Sequence, residues 1–192
     1  RFDGHDGTGN VPLDTSSAPD LKDFASRAWL TDLLKPEHIA TKRYFGETAF
    51  RNGDMVRFVN KKVSQFDKEE KLALERAIKA LSAEAGLSRQ AEVEEVETDL
   101  IVLGKEDLGY ELGCSDCHAF HFEDDDADGP DLTGYGSREW MKSFISDPGQ
   151  KRFYGENNDR MPSFLTEGIL TPTEIGLLVD WLRQDWYEPL PK

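Results

Sequence analysis

The chain has 192 residues, with 38 acidic against 23 basic side chains and a formal charge of −15, and its length suits one large domain or two of roughly 90 residues. Nucleic acid and anionic membrane faces repel such a polyanion, so a protein with a basic docking face is the partner that charge favours. No stretch approaches the roughly 20 apolar residues that cross a bilayer, and Arg1-Phe2-Asp3-Gly4-His5-Asp6-Gly7 has neither the basic end nor the apolar run of a signal peptide. The chain therefore reads as soluble, either mature or cut from a larger protein.

In chain order, the first half opens on a polar, glycine-rich stretch in which His5 reads as an exposed loop residue. It continues through Pro19-Asp20-Leu21, Ser26-Arg27-Ala28-Trp29 and Tyr44-Phe45-Gly46-Glu47 to Met55, in Asn52-Gly53-Asp54-Met55-Val56-Arg57. Leu74, Ala77, Ile78 and Leu81 then fall at helical spacing, and Ala83 to Ser88 ends that helix with Gly86 as its C-cap. Glu92 to Glu97 is an acidic connector, and a further helix begins at Thr98.

That helix leads into Cys114-Ser115-Asp116-Cys117-His118, which holds both cysteines of the chain. The spacing has four readings. A disulfide between the two would close almost no loop. A tetrahedral zinc site normally needs a second Cys or His pair, which His5, His38 and His121 do not form. A thioredoxin-like redox pair belongs between a strand and a helix, whereas Gly104 to Leu112 reads as a polar, weakly amphipathic helix. Covalent haem attachment uses all three residues: two thiols add across the haem vinyl groups, and the adjacent imidazole reaches the iron.

Downstream residues extend the haem reading. Glu123-Asp124-Asp125-Asp126-Ala127-Asp128 is an acidic run, most simply solvated surface and otherwise a patch that steers a basic partner. Gly129-Pro130-Asp131-Leu132 is a rigid turn whose Pro130 carbonyl is the expected acceptor for the second ring nitrogen of His118. Met141, in a helical stretch, and His121, three residues past His118, compete with Met161 for the role of sixth iron ligand. Met161 is the stronger candidate, because Pro162 favours an extended loop there. The last helix runs from Thr173 to about Tyr187, with Thr171-Pro172-Thr173-Glu174 as its start and Ile175, Leu178, Val179 and Leu182 on one face.

With these features in place, residues 98–187 resemble a class I cytochrome c. The resemblance implies an all-α fold, His/Met ligation of one covalent haem c, and a closing helix that crosses the opening helix near the haem edge. It further implies that Trp140, Tyr135, Phe144, Phe153, Tyr154 and Trp181 line or flank the pocket, and that Trp140 or Arg138 bonds a haem propionate.

The first half repeats the second. Pro19-Asp20-Leu21 and Ser26-Arg27-Ala28-Trp29 recur as Pro130-Asp131-Leu132 and Ser137-Arg138-Glu139-Trp140, Tyr44 to Glu47 recurs as Phe153 to Glu156, Met55 aligns with Met161, and the closing helices share their spacing. Residues 1–88 are thus expected to form a degenerate or truncated cytochrome c-like module, and residues 89–192 the haem-binding one. The first module lacks an opening helix and a Cys-x-x-Cys-His of its own. Either a longer parent carries them, with Met55 as ligand of a second haem, or the module is a haem-free cap in which His5 is a surrogate ligand.

The tandem arrangement resembles the di-haem c-type domains found with cytochrome b in bacterial quinol:cytochrome c oxidoreductases. That resemblance implies single-electron transfer without substrate chemistry, redox protein partners including a membrane cytochrome b subunit, and a location in the periplasm or on the outer face of a membrane. The rival reading is a five-coordinate haem protein acting as peroxidase or gas sensor.

Overall fold

The computed structural model describes residue 19 and residues 21–122, 126–158 and 160–185. His5, Asp20, the start of the acidic run (Glu123, Asp124, Asp125) and Tyr187 lie outside the described residues. The described chain is all-α, without strands. Its helices are α1 (Arg27–Leu33), α2 (Pro36–Ile39), α3 (Asp54–Lys61), α4 (Lys68–Glu84), α5 (Ala91–Val96), α6 (Thr98–Glu106), α7 (Arg138–Ser146) and α8 (Pro172–Arg183), joined by short 3-10 turns. Among the described residues no helix is long and apolar enough to cross a membrane.

Local chemistry sets the helix starts, and it does so in matched pairs. Ser26 caps α1 by accepting from the Trp29 N–H, and Ser137 caps α7 by accepting from the Trp140 N–H, each at 3.2 Å. Helix α4 starts with a capping box of Asp67 and Glu70, and α8 with one of Thr171 and Glu174. Gly86 ends α4 in the left-handed region at φ +56°.

The repeat extends to backbone conformations that side-chain matching does not reveal. Asp23 (φ +61°) and Ala25 (φ +60°) hold the left-handed geometry that Gly134 (φ +68°) and Gly136 (φ +73°) hold at an offset of 111 residues. The turns that follow share a hydrogen-bond pattern: Phe45 N–H to Ile39 O and Gly46 N–H to Thr41 O in one, Tyr154 N–H to Pro148 O and Gly155 N–H to Gln150 O in the other. The halves meet through equivalent residues. Phe24 packs on Tyr135 with ring centroids 5.2 Å apart, and the Ala25 methyl occupies the space a Cβ on Gly136 would need. One apolar core runs from Leu30 and Val59 through Leu112 to Trp140 and Val179.

The helix pairing differs from what the family resemblance implies. Helix α6 packs on α4 of the first half, while α8 packs on α7. The closing helix of the first half therefore does not lack a partner, because the opening helix of the second half supplies it. The reason lies in the α4 surface. Ala73, Ala77 and Ala80 form a low, buried stripe, and Gly104 of α6 approaches so closely that an added Cβ would overlap the Arg76 carbonyl and lie 3.0 Å from Ala80 Cβ. Arg76 then makes two hydrogen bonds to the buried Asp107 carboxylate, at 2.6 and 3.0 Å. Glu97, before α6, takes ion pairs from Arg27 and from Lys79 (2.7 Å).

This crossing makes a prediction opposite in sign to helix propensity, which favours alanine over glycine by about 1 kcal/mol. Gly104→Ala is expected to destabilise the chain by about 1–3 kcal/mol through backbone displacement. Gly109→Ala, with nothing within 4 Å of its added Cβ, is expected to stay within about 0.5 kcal/mol of the parent. Urea midpoints of the two variants check this.

Candidate functional site

Helix α6 ends in a wider π-helical turn over Asp107–Glu111, and Gly113 at φ +70° reverses the chain into a 3-10 turn over Cys114–Asp116. Ser115 Oγ donates to the Gly109 carbonyl at 2.7 Å, and the His118 N–H donates to the Cys114 carbonyl at 3.0 Å, so the motif is closed on itself. Two backbone bonds then lay residues 129–132 alongside it: Gly129 N–H to Cys117 O at 2.8 Å and Leu132 N–H to Ala119 O at 2.9 Å.

That alignment brings the Pro130 carbonyl to 2.7 Å from His118 Nδ1. A carbonyl only accepts, so Nδ1 carries the proton and Nε2 keeps its lone pair, with no hydrogen bond from any described residue. Gly129 lies flat against the ring, where a Cβ would come within 2.5 Å of Cε1. Burial pushes the His118 pKa below its ordinary value against the opposing pull of Pro130, so the ring is neutral at pH 7.

The cysteines are free of one another. Burial pushes the Cys114 thiol up to about 11, only partly offset by the Lys62 ammonium, and burial together with Asp128, Asp116 and Asp54 raises Cys117. Both are protonated at neutral pH, whereas a redox-active Cys-x-x-Cys pair calls for a thiolate. Among the described residues no cluster of three or more His, Cys, Asp or Glu side chains is arranged to hold a metal ion. Two uncharged thiols beside a neutral, oriented imidazole fit covalent haem, whose porphyrin brings four ligands of its own.

Met161 is half-buried against the core, and its loop is pinned by Asn158, whose amide donates to the Met161 carbonyl at 2.8 Å and accepts from its N–H at 3.2 Å. Met141 is buried in α7 as core. Met55 is the second residue of α3 and half-buried. Helix α3 also flanks the motif, a proximity no sequence signal announced: Lys62, just past its end, donates to the Leu112 carbonyl at 3.3 Å, and the Asp54 charge reaches Cys117.

Both expected propionate donors have partners within the protein. Trp140 Nε1 donates to the Asp131 carbonyl at 3.0 Å, and Arg138 holds Asp180 with two bonds at 2.7 and 3.0 Å. Tyr135, Trp140, Phe144, Phe153 and Tyr154 form one aromatic cluster, with successive centroids 5.0–5.6 Å apart. Trp181 stands apart from it, exposed on α8.

His121 turns away from the motif at φ +59° to bond Glu84 at 2.8 Å. Glu84 also takes the Lys105 ammonium at 3.0 Å and the Gly134 N–H at 2.9 Å, so one carboxylate ties α4 to α6 and to the loop behind His118. No family model, no curated protein and no solved structure matches this chain.

Burial alone would raise the Glu84 pKa, but its partners outweigh burial and hold it below 4.5. A carboxylate depressed on folding stabilises the fold above its unfolded pKa, and that stabilisation is lost as pH falls through the folded value. Glu84→Gln is therefore expected to lower stability at pH 7 by about 1 kcal/mol and to flatten the decline below pH 4.5. Denaturant midpoints across that range, for parent and variant, check both expectations.

Proposed function

We propose that the chain is a c-type cytochrome that transfers single electrons, carrying one haem c held by Cys114, Cys117, His118 and Met161. The observation that carries this reading is the His118 imidazole held through Nδ1 by the Pro130 carbonyl, with Nε2 left free, directly after the Cys-x-x-Cys spacing. When bound, the haem supplies a one-electron iron couple. The protein's own part is to hold and orient. Cys114 and Cys117 would hold the group through thioether bonds, each formed by net addition of S–H across a vinyl double bond. His118 offers Nε2 in one tautomer and one ring plane, and Asn158 fixes the loop that presents Met161. A methionine paired with histidine raises the reduction potential relative to two histidines.

The repeated caps, turns and left-handed residues support a tandem pair of cytochrome c-like modules, with the first half (residues 1–88) as the copy without a haem motif. They likewise support the likeness to the di-haem c-type domains that accompany cytochrome b in quinol:cytochrome c oxidoreductases. On that reading the location is periplasmic or on the outer face of a membrane, and the partners are redox proteins with basic docking faces.

Expression alongside a cytochrome c maturation system tests the proposal. The intact mass is expected to rise by one haem, and Cys114→Ser with Cys117→Ser is expected to abolish the increase. The oxidised protein is expected to show the weak sulfur-to-iron band in the red, absent in Met161→Ala. No covalent haem in the parent would overturn the proposal. Haem without the sulfur band would favour the five-coordinate peroxidase or sensor reading.

A further inference from the structure

Helices α4 and α8 are equivalent at an offset of 101 residues, and their core faces agree: Ile78, Leu81 and Ser82 are buried on α4, as are Val179, Leu182 and Arg183 on α8. The other face differs. On α4 the stripe Ala73, Ala77 and Ala80 is buried beneath α6, with Arg76 reaching from it to Asp107. The equivalent positions on α8 are Glu174, Leu178, Trp181 and Leu177. Leu177 is 65% exposed and Trp181 52%, one helical turn apart on the surface, whereas Ile175 and Val179 behind them are 1% and 0% exposed.

We propose that this face of α8 is a docking surface for an amphipathic helix, seated as α6 is seated on α4. The equivalence states what the occupant must look like. A glycine or alanine stands at its crossing point, as Gly104 does on α6, because Trp181 and Leu178 replace the low methyls of Ala80 and Ala77 and project further. Three residues on, where the turn directly after α6 carries Asp107 for Arg76, the occupant carries an apolar residue for Leu177. Its solvent edges are basic, matching a chain of net charge −15. The proposal concerns helix recognition alone and stands apart from the haem reading.

Two synthetic peptides of residues 97–112 probe it, both with Glu97, Asp99, Glu106 and Glu111 replaced by Lys to give basic edges, one keeping the natural Asp107 and one with Asp107→Leu. Each is titrated into the full chain, with amide hydrogen exchange of α8 as the second readout. The Asp107→Leu peptide is expected to bind at least about tenfold more tightly than the one keeping Asp107, and to protect the amides of residues 177–183. Leu177→Glu and Trp181→Glu, both at exposed positions, are each expected to weaken binding by about tenfold or more while leaving the thermal midpoint of the free chain unchanged. Failure of both peptides to bind, protection on α4 instead of α8, or indifference to the two α8 variants overturns the proposal. So does a concentration-dependent dimer that either variant dissolves, since the occupant would then be a second copy of the chain.

Discussion

The contact of α6 with α4 at Gly104 governs most of what lies around it. Two backbones approach there without a side chain between them, and the flanking charges hold the register: Arg76 with Asp107 on one side, Glu97 with Arg27 and Lys79 on the other. Asp107 is only 5% exposed. Removing Arg76 would leave a buried carboxylate unpaired, a change far more costly than the pair is stabilising. Only one wider turn separates this contact from Cys114, so the position of the cysteines is inherited from a helix some forty residues earlier in the chain.

The internal repeat shows how one backbone pattern tolerates divergent chemistry. Asp23 and Ala25 keep left-handed conformations that glycine occupies in the other copy, at a cost of about 1–2 kcal/mol for each non-glycine residue. The surroundings impose it: Ala25 is completely buried, and Asp23 accepts from Gln184 at 2.6 Å. Ser82 and Arg183 are equivalent and both buried, yet Arg183 spreads its guanidinium over the carbonyls of Ala85, Gly86 and Gly136. That one side chain joins the end of α8 to the end of α4 and to the turn before α7.

Much of the site was legible because its signals are local. The two cysteines, the histidine after them and the Gly-Pro turn lie within nineteen residues, and the Pro130 carbonyl stands where the turn implied. The capping boxes and the Gly86 stop were equally readable, since each is a property of four or five consecutive residues. The pairing of α6 with α4 was not. Hydrophobic spacing says which side of a helix is apolar, but not which of two similar helices will cover it. Deciding between α4 and α8 required weighing Ala77 and Ala80 against Leu178 and Trp181, a comparison of surface height that periodicity ignores. The partners of Arg138 and Trp140, Asp180 and the Asp131 carbonyl, were not visible in the sequence for a related reason: each lies outside the local motif.

The same long-range dependence bears on the electron-transfer reading proposed above. On that reading an iron ligand that moves little would keep reorganisation small, and the hydrogen bonds around His118 are built outward in layers. Pro130 fixes the ring, backbone bonds from residues 129 and 132 fix Pro130, and Glu84 fixes the loop behind them through Gly134 and His121. Glu84 is the last residue of α4, one turn beyond the stripe that seats α6. The helix that positions the cysteines from one side thus anchors the histidine from the other, and the first half of the chain acts as the frame of the site in the second.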